Sequence, residues 1–309
     1  MTSPQPPGEP AINWAMSRLA DGVPPGSVTL DSATGLREGG NPWLLRGHHG
    51  EATLEAILKL EQVADSAGFT TEIAALRLVE RHGIAAPRVL GVNDGDGCRA
   101  VLETVLPGRS TVPAAATRTR LLAMGRAAAQ IQSVALEPTA ELPARVRPIP
   151  ASDFSADRRA GRDHGSPLLS EADALIAALP IPDGPTGLVH GDLWQGNMLW
   201  LDDTVSGLID WDMAGVGHHG IDLSSMRLDA ALMFGVEAAD PVLTGWEDTT
   251  GTAAADLAYW DVVTALNQPG DMAGFAPAIQ DQGRTDLTAT ILNERRDAFL
   301  RDGLKRLDG

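Results

Sequence analysis

The chain has 309 residues, of which 43% are hydrophobic and 21% charged, the composition of an ordinary folded protein large enough for two domains. Its 41 acidic and 24 basic residues give a formal net charge of −17, which argues against nucleic acid and anionic membrane surfaces as partners. A cationic small molecule is compatible with this charge, although acidity is also a common way of keeping a protein in solution.

The single cysteine, Cys98, excludes an intramolecular disulfide and a cysteine-based zinc cluster. Residues 1–10 are rich in proline and carry no basic residue, so they predict a loose tail and not a secretion signal. No apolar run approaches the ~20 residues that cross a membrane. These observations lead us to expect a cytoplasmic protein.

The first third of the chain is β-rich. A short helix is predicted at residues 12–19, and β-like alternation runs from residue 27 to residue 61. Two strands within it, residues 43–46 and 54–60, are separated by a predicted turn at residues 47–50. A helix and two further strands follow, at residues 72–82, 88–92 and 99–105.

The rest of the chain is mainly helical. Helical periodicity marks residues 117–134 and 170–179, the second helix with Ser170 as its N-cap, whereas residues 138–167 match no regular pattern. Three more helices are predicted at residues 222–234, 253–267 and 286–304. The fold class is therefore α+β. A small β-rich part, residues 1–106, precedes a larger helical part, residues 107–309, with a candidate hinge at the junction.

The tetrapeptide Gly-His-His-Gly occurs twice, at residues 47–50 and 217–220, without a longer repeat around either copy. Both copies predict turns. A histidine-based metal site is not expected, because no carboxylate or further histidine lies at ligand spacing near the first copy.

The main chemical signal is His-Gly-Asp-Leu-Trp-Gln-Gly-Asn at residues 190–197. Asp192 follows an apolar strand, where a carboxylate is held rigidly and can accept a hydroxyl proton. Asn197 lies in the same loop, and Asp210 follows the strand predicted at residues 205–209; both offer the hard oxygen ligands that Mg²⁺ prefers. Each residue alone would also suit a turn. A base beside two metal ligands is what phosphoryl transfer needs.

Asp210 and Asp212 point to opposite faces if the strand continues through them, so one of the two is the main metal ligand. Asp210 is favoured because it directly follows the apolar residues Leu208 and Ile209.

These residues resemble the Brenner-type motif of aminoglycoside phosphotransferases and related small-molecule kinases, which share a bilobal protein-kinase-like fold. The resemblance implies that Asp192 is the catalytic base and that Asn197 and Asp210 bind Mg²⁺. Asp222 matches a family position that braces the catalytic loop, although a helix N-terminal charge also explains it. Trp194 is similar to the tryptophan of the fructosamine-kinase relatives.

The same resemblance extends to the β-rich part. Lys59 resembles the strand lysine that pairs with nucleotide phosphates, and Glu72 resembles the helix acid that holds that lysine, although charged residues on strands and helices are usually only solvated. Gly39 and Gly40 resemble the nucleotide-positioning loop, although a hairpin turn explains them nearly as well.

The hinge of this family binds adenine through backbone groups, which implies nucleotide-binding positions at Thr104 and Leu106. The implied cofactors are ATP, with GTP as the alternative, and Mg²⁺. One family feature is absent: the long helix after the hinge often carries Leu-His, where this chain has Ile131 and Gln132.

The acceptor is expected above Asp192, against the C-terminal helices. Candidate contacts are acidic or aromatic residues of that region: Asp229, Trp246, Glu247, Asp256, Tyr259, Trp260 and Asp261. Core packing is the alternative explanation for the aromatic residues and solvation for the acids.

Three functions fit these features. The first is an ATP-dependent kinase that phosphorylates a hydroxyl of a small molecule, such as an aminoglycoside or another antibiotic. The second is a metabolic kinase for a sugar, amino sugar or amino alcohol. The third is a nucleotide-binding regulator without catalysis. The first is favoured over the third because all the key positions keep functional residue types. The oligomeric state is not readable from the sequence.

Overall fold

The structure is a computed structural model that describes residues 7–20, 27–37, 40–61, 66–95 and 99–308. It divides into two compact units, Met1–Leu106 and Pro107–Gly309. Gly39, Cys98 and residues 1–6 of the predicted tail lie outside the described residues. Within the described part of the chain, no helix is both long enough and apolar enough to cross a membrane.

The first unit contains an antiparallel five-stranded sheet and two helices. The helices are α1 (Glu9–Leu19) and α2 (Ser66–Arg81). The strands are β1 (Thr29–Gly35), β2 (Trp43–His49), β3 (Ala52–Leu60), β4 (Val89–Asn93) and β5 (Ala100–Glu103). Their order across the sheet is β1-β2-β3-β5-β4.

The two helices cover opposite faces of this sheet. On β5, Ala100 and Leu102 pack in the cluster that contains α1, whereas Val101 between them packs against α2. Successive side chains of a strand point to opposite faces, which explains this division. Leu58 of β3 belongs to the α1 cluster, so its neighbour Lys59 lies on the α2 face.

The second unit is mainly helical. Its helices are α3 (Arg118–Gln132), α4 (Phe154–Arg159), α5 (Pro167–Ala178), α6 (Gly220–Phe234), α7 (Ala239–Thr250), α8 (Leu257–Leu266), α9 (Ala276–Asp281) and α10 (Ala289–Leu307). Its strands are β6 (Ala144–Arg145), β7 (Thr186–Val189), β8 (Met198–Leu201), β9 (Thr204–Leu208) and β10 (Gly215–His218). They form a sheet in the order β6-β10-β7 and a separate β8-β9 pair.

Two glycines allow α3 and α7 to approach closely. A Cβ atom on Gly125 of α3 would lie 1.9 Å from the carbonyl oxygen of Val242, and one on Gly245 of α7 would lie 2.1 Å from that of Leu122. Neither position has room for a side chain. The main core of the unit lies around α6, α8 and α10, where Leu228, Val262 and Phe299 are buried together with other apolar residues.

Several predicted boundaries were wrong. Helix α1 begins at Glu9, inside the predicted tail, with Pro10 in its first turn, a position where the missing N–H of proline does no harm. The N-cap of α5 is Ser166, whose side chain accepts a hydrogen bond from the N–H of Leu169. Ser170 lies inside the helix instead. The sequence patterns also did not predict α4, α7, α9, β6 or β10.

Both Gly-His-His-Gly copies lie mainly in regular elements, so the predicted turns were misplaced. The first copy continues β2 to His49, which pairs with Ala52 across the two-residue connection Gly50 and Glu51. Gly50 has φ of +58°, which favours glycine. The second copy ends β10 and begins α6.

Candidate active site

The loop between β7 and β8 carries Asp192, and Asp222 of α6 braces its start. The backbone N–H groups of His190 and Gly191 donate to Oδ2 and Oδ1 of Asp222 over 2.7 and 3.1 Å. Burial raises the pKa of Asp222 to about 7, although these two donors act in the opposite direction. Gly191 has φ of +82°, and a Cβ there would lie 2.2 Å from the Met213 carbonyl oxygen, so the turn requires glycine.

The side chain of Asn197 holds Asp192. Its Nδ2 donates to the backbone oxygen of Asp192 over 2.9 Å and to the carboxylate Oδ2 over 3.1 Å. Asn197 is only 1% exposed. Because the amide nitrogen is used as the donor, Oδ1 is the atom of Asn197 that can serve as a metal ligand.

Asp210 is tied to the same loop through its neighbour Ile209. The N–H of Ile209 donates to the carbonyl oxygen of Asn197, and the carbonyl oxygen of Ile209 lies 3.0 Å from Nε2 of His190. Asp210 itself has φ of +71°, a conformation that few residues other than glycine adopt. Such strain costs about 1–3 kcal/mol and occurs most often at functional sites. The structure therefore brings Asp192, Asn197 and Asp210 into one neighbourhood.

The donor set fits a hard divalent cation. Asn197 offers an amide oxygen and Asp210 a carboxylate, and Mg²⁺ commonly completes such a set with water and phosphate oxygens. In the described ranges, no group of three or more His, Cys, Asp or Glu residues could hold a metal ion. Asp212 interacts electrostatically with Arg145: burial lowers the pKa of this arginine, and the Asp212 charge raises it.

In the first unit, Lys59 and Glu72 meet. Nζ of Lys59 on β3 forms an ion pair with Oε1 of Glu72 on α2. The Glu72 side chain is 5% exposed and that of Lys59 is 14% exposed, so the pair is largely shielded from water. The contact expected between the strand lysine and the helix acid is present.

The other predicted nucleotide-binding positions have defined surroundings. Gly40 has φ of +99° and donates its N–H to the carbonyl oxygen of Arg37, which closes the loop between β1 and β2. Thr104 pairs with Arg88: its Oγ1 accepts from the Arg88 N–H over 2.9 Å, and its own N–H donates back over 3.0 Å. Leu106 is half-buried at the end of the first unit. Their role in nucleotide binding stays a prediction.

A cavity of about 250 Å³ lies beside Asp192 in the second unit. Most of its lining is apolar, from residues such as Leu193, Leu232 and Phe275. Its polar lining residues are Asp192, Ser225, Asp229, Thr264 and Gln268. None of the described lining residues is a lysine, arginine or histidine.

One wall of this cavity is anchored to the loop that carries Asp192. Ile149 lines the cavity and has φ of +47°, which a β-branched residue rarely adopts. Its N–H donates to the carbonyl oxygen of Gly191 over 2.7 Å. The strained backbone at Ile149 is thus held against the turn that carries Asp192.

Of the seven predicted acceptor contacts, only Asp229 lines the cavity. Core packing explains the aromatic residues: Tyr259 and Trp260 belong to a buried cluster. The Trp246 indole donates to Oε1 of Gln132 over 2.7 Å. Gln132, which stands where the family often has histidine, therefore has a structural role here.

The remaining three acids have protein partners. Asp261 is fully buried and paired with arginines. Oε1 of Glu247 accepts from the N–H of Ala254 over 3.2 Å. Oδ2 of Asp256 lies 3.7 Å from Nε2 of His218.

Sequence reasoning missed two residues that support Asp229. The backbone N–H and the Nε2 of Gln195 both contact Oδ2 of Asp229, over 3.3 and 2.9 Å. Nε of Arg120 donates in turn to Oε1 of Gln195 over 3.0 Å, and the Arg120 guanidinium stacks on Trp200 at 3.7 Å from the ring centre. Gln195 lies within the motif at residues 190–197, but no sequence pattern connects Arg120 to it.

The sequence is similar to proteins of one family. Residues 35–286 match the model of APH, the phosphotransferase enzyme family. The chain is 34% identical over 115 residues to a homoserine kinase of Rhodospirillum rubrum, covering 35% of this chain and 36% of that protein. It is 27% identical over 221 residues to a homoserine kinase of Gluconacetobacter diazotrophicus, covering 66% and 68%. A viomycin phosphotransferase of Streptomyces vinaceus is 34% identical over 118 residues, covering 34% and 39%. The aligned region thus spans little more than a third of the Rhodospirillum rubrum homoserine kinase and of the viomycin phosphotransferase.

Among solved structures, the macrolide 2′-phosphotransferase MphH of Brachybacterium faecium has a TM-score of 0.56 at 18% identity, covering 89% of this chain and 92% of that one. At this identity the likeness concerns the fold alone, and it confirms the predicted protein-kinase-like fold. Because the family model spans most of the sequence, the chain belongs to the phosphotransferase enzyme family, whose members are small-molecule kinases.

Proposed function

We propose that this protein transfers the γ-phosphoryl group of ATP, bound with Mg²⁺, to a hydroxyl of a small molecule. The bond between the γ-phosphorus and its bridging oxygen to ADP breaks, and a bond from the γ-phosphorus to the acceptor oxygen forms. Asp192 takes the hydroxyl proton as the new bond forms. The products are ADP and a phosphate monoester.

One observation carries this proposal: the carboxylate of Asp192 is held by the amide of Asn197 at the wall of an apolar cavity. A positioned carboxylate can orient a hydroxyl and accept its proton. The apolar lining limits water, which would otherwise compete as the phosphoryl acceptor.

The metal and the nucleotide have candidate ligands in the chain. Oδ1 of Asn197 and the carboxylate of Asp210 would hold Mg²⁺, whose charge neutralises the phosphates. Lys59, positioned by Glu72, would contact nucleotide phosphates. The loop at Gly39 and Gly40 and the segment from Thr104 to Leu106 would contact the rest of the nucleotide, with GTP as the alternative to ATP. Use of ATP implies a cytoplasmic location.

The relatives' names give two acceptor classes: an amino acid for the homoserine kinases, and an antibiotic for the viomycin and macrolide phosphotransferases. The cavity of about 250 Å³ lies below the range of about 300–1,000 Å³ that is typical for drug-sized ligands. A small metabolite is therefore the better match. Coupled measurement of ADP release with a panel of amino acids, amino alcohols, sugars and antibiotics tests this choice.

The role of Asp192 is tested by Asp192→Ala. We expect kcat to fall by at least ~100-fold, because a positioned base contributes about 10²–10⁴-fold, while the KM for ATP changes little. The matched control is Asp248→Ala on α7, an exposed position that should keep full activity. An Asp192→Ala enzyme with wild-type turnover would show that the base has been assigned wrongly.

A further inference from the structure

We propose that Asp229 anchors an ammonium group of the acceptor, which makes the acceptor a compact amino alcohol with an apolar body and no anionic group. This inference rests on the phosphotransferase function proposed above and specifies its substrate class.

The size and lining of the cavity limit the acceptor. Its volume of about 250 Å³ lies below the range of about 300–1,000 Å³ that is typical for drug-sized ligands. Leu228, Met233, Met272 and Ile279 are among the apolar side chains that line it. Such walls favour a hydrocarbon body because apolar surface leaves water on binding. A compact acceptor therefore matches this cavity better than a multi-ring antibiotic does.

The charge of the lining points to a cationic acceptor. Asp192 and Asp229 are both carboxylates, and no basic side chain occurs among the described residues that line the cavity. An acceptor carboxylate placed here would lack a cationic partner among the described lining residues and would face two like charges, which is unfavourable. An ammonium group would instead be attracted by both.

Asp229 has one carboxylate oxygen available for this contact. Both hydrogen bonds from Gln195 go to Oδ2. No residue in the described part of the chain donates a hydrogen bond to Oδ1 of Asp229. Asp229 is 5% exposed and lines the cavity, so a ligand in the cavity can reach its exposed surface. A cationic group is the strongest partner for such an oxygen.

The protein compensates the charge of Asp229 only indirectly. Arg120 contacts Gln195 and the carbonyl oxygen of Thr111, and Gln195 separates it from Asp229. The neutral Gln195 positions the carboxylate without neutralising it. A buried carboxylate without a direct cationic partner is unfavourable, so a ligand cation would complete the site.

The ionisation of Asp229 fits this arrangement. Burial raises the pKa of Asp229 to about 6, with the Asp192 charge acting in the same direction, while the Gln195 hydrogen bonds and the Arg120 charge lower it. The carboxyl is therefore ionised at neutral pH but weakly compensated, and an ammonium would relieve its repulsion with Asp192.

The test measures acceptor preference in the full chain with Mg·ATP. The probes are ethanolamine, 3-amino-1-propanol and leucinol, each paired with the alcohol of the same carbon skeleton without the amine, together with homoserine. We expect at least one amino alcohol to be phosphorylated with kcat/KM about 10-fold or more above both its matched alcohol and homoserine, as a charged hydrogen bond predicts. In Asp229→Asn this preference should fall about 10-fold, mainly through KM, whereas Asp229→Glu should restore part of it.

The wild-type comparison decides the matter even if Asp229→Asn fails to fold. Phosphorylation of an alcohol, homoserine or an antibiotic without preference for the amine would overturn this inference and leave the proposed phosphotransferase function intact. An amine preference that persists unchanged in folded Asp229→Asn would also overturn it. If no compound in the wider panel receives phosphate, the proposed function itself fails.

Discussion

At the residue scale, Asp229 and Asp261 show why burial alone does not mark a functional acid. Asp261 on α8 accepts hydrogen bonds from Arg227, the closest at 3.0 Å, and from Arg306 at 2.7 Å, so its charge is fully paired. Among the described residues, only the neutral Gln195 donates hydrogen bonds to Asp229 on α6. Both acids lie in apolar-periodic helices, and their partners come from distant parts of the chain, so the sequence could name both but could not separate them.

The pKa of Asp229 predicts a pH limit on amine recognition. An ammonium binds the ionised carboxylate, so kcat/KM for the best amino alcohol should fall as pH drops through about 6, approaching ~10-fold per pH unit. The control reactions are the matched alcohol with the wild type and the amino alcohol with Asp229→Asn. Both reactions should lack this fall in kcat/KM near pH 6. If kcat/KM fell equally near pH 6 in all three reactions, the titrating group would not be Asp229.

Protonation of Asp229 does not unfold the protein, so unfolding through this group cannot cause the fall in kcat/KM at low pH. Its pKa rises from 3.8 to about 6 in the folded chain, so the folded state binds the proton more tightly than the unfolded state. The contribution of this group to the free energy of unfolding therefore falls as pH rises from about 4 to about 6. Acidification over that range strengthens folding through Asp229 while it weakens amine binding.

At the element scale, the contact between α3 and α7 depends on glycine. In Gly125→Ala, the higher helix propensity of alanine stabilises α3 by about 1 kcal/mol. However, the added Cβ would lie 1.9 Å from the Val242 carbonyl oxygen, so the two helices must move apart. Overpacking costs about 1–3 kcal/mol and more when backbone must move. We expect the free energy of unfolding to fall by about 1 kcal/mol or more, measured by denaturant unfolding.

The matched control is Gly274→Ala, where an added Cβ would meet no atom within 4 Å. This substitution should leave the unfolding midpoint nearly unchanged. Equal midpoints for Gly125→Ala and the wild type would mean that α3 and α7 tolerate separation and that the close contact is not needed for stability.

Helix α7 also shows where sequence patterns lose their power. Its residues include Pro241, Gly245 and several threonines, which have low helix propensity. A short segment of this kind is helical because it packs on a partner, and that partner, α3, is far away in the sequence. The long helices α3 and α10 were predicted because their periodic burial pattern is visible locally.

At the scale of the whole molecule, order along the chain was the most informative sequence feature. A β-rich segment with Lys59 and Glu72 followed by a helical segment with Asp192, Asn197 and Asp210 was enough to predict the family and fold. The cavity beside Asp192 could not be predicted in the same way. Its walls come from several helices and from Ile149, in a stretch without a readable pattern, so it exists only after tertiary packing.

The nucleotide proposal makes a last prediction for the intact chain. A ligand that binds only the native state at ~100 times its Kd stabilises that state by about 2.7 kcal/mol, so saturating Mg·ATP should raise the Tm of the wild type by several degrees. Lys59→Met should lose most of this rise, because the ammonium proposed to contact the phosphates is gone. Asp192→Ala should keep it, since a base acts on the acceptor.

Differential scanning fluorimetry with and without Mg·ATP measures these shifts. Only the difference between the two conditions is informative for Lys59→Met, since removing Lys59 leaves the buried Glu72 without its ion-pair partner and lowers the starting Tm by itself. The chain's other lysine, the exposed Lys305 near the end of α10, supplies the matched control Lys305→Met, which should keep the full shift. A full shift in Lys59→Met would remove Lys59 from nucleotide binding, and the absence of any shift in the wild type would count against the nucleotide itself.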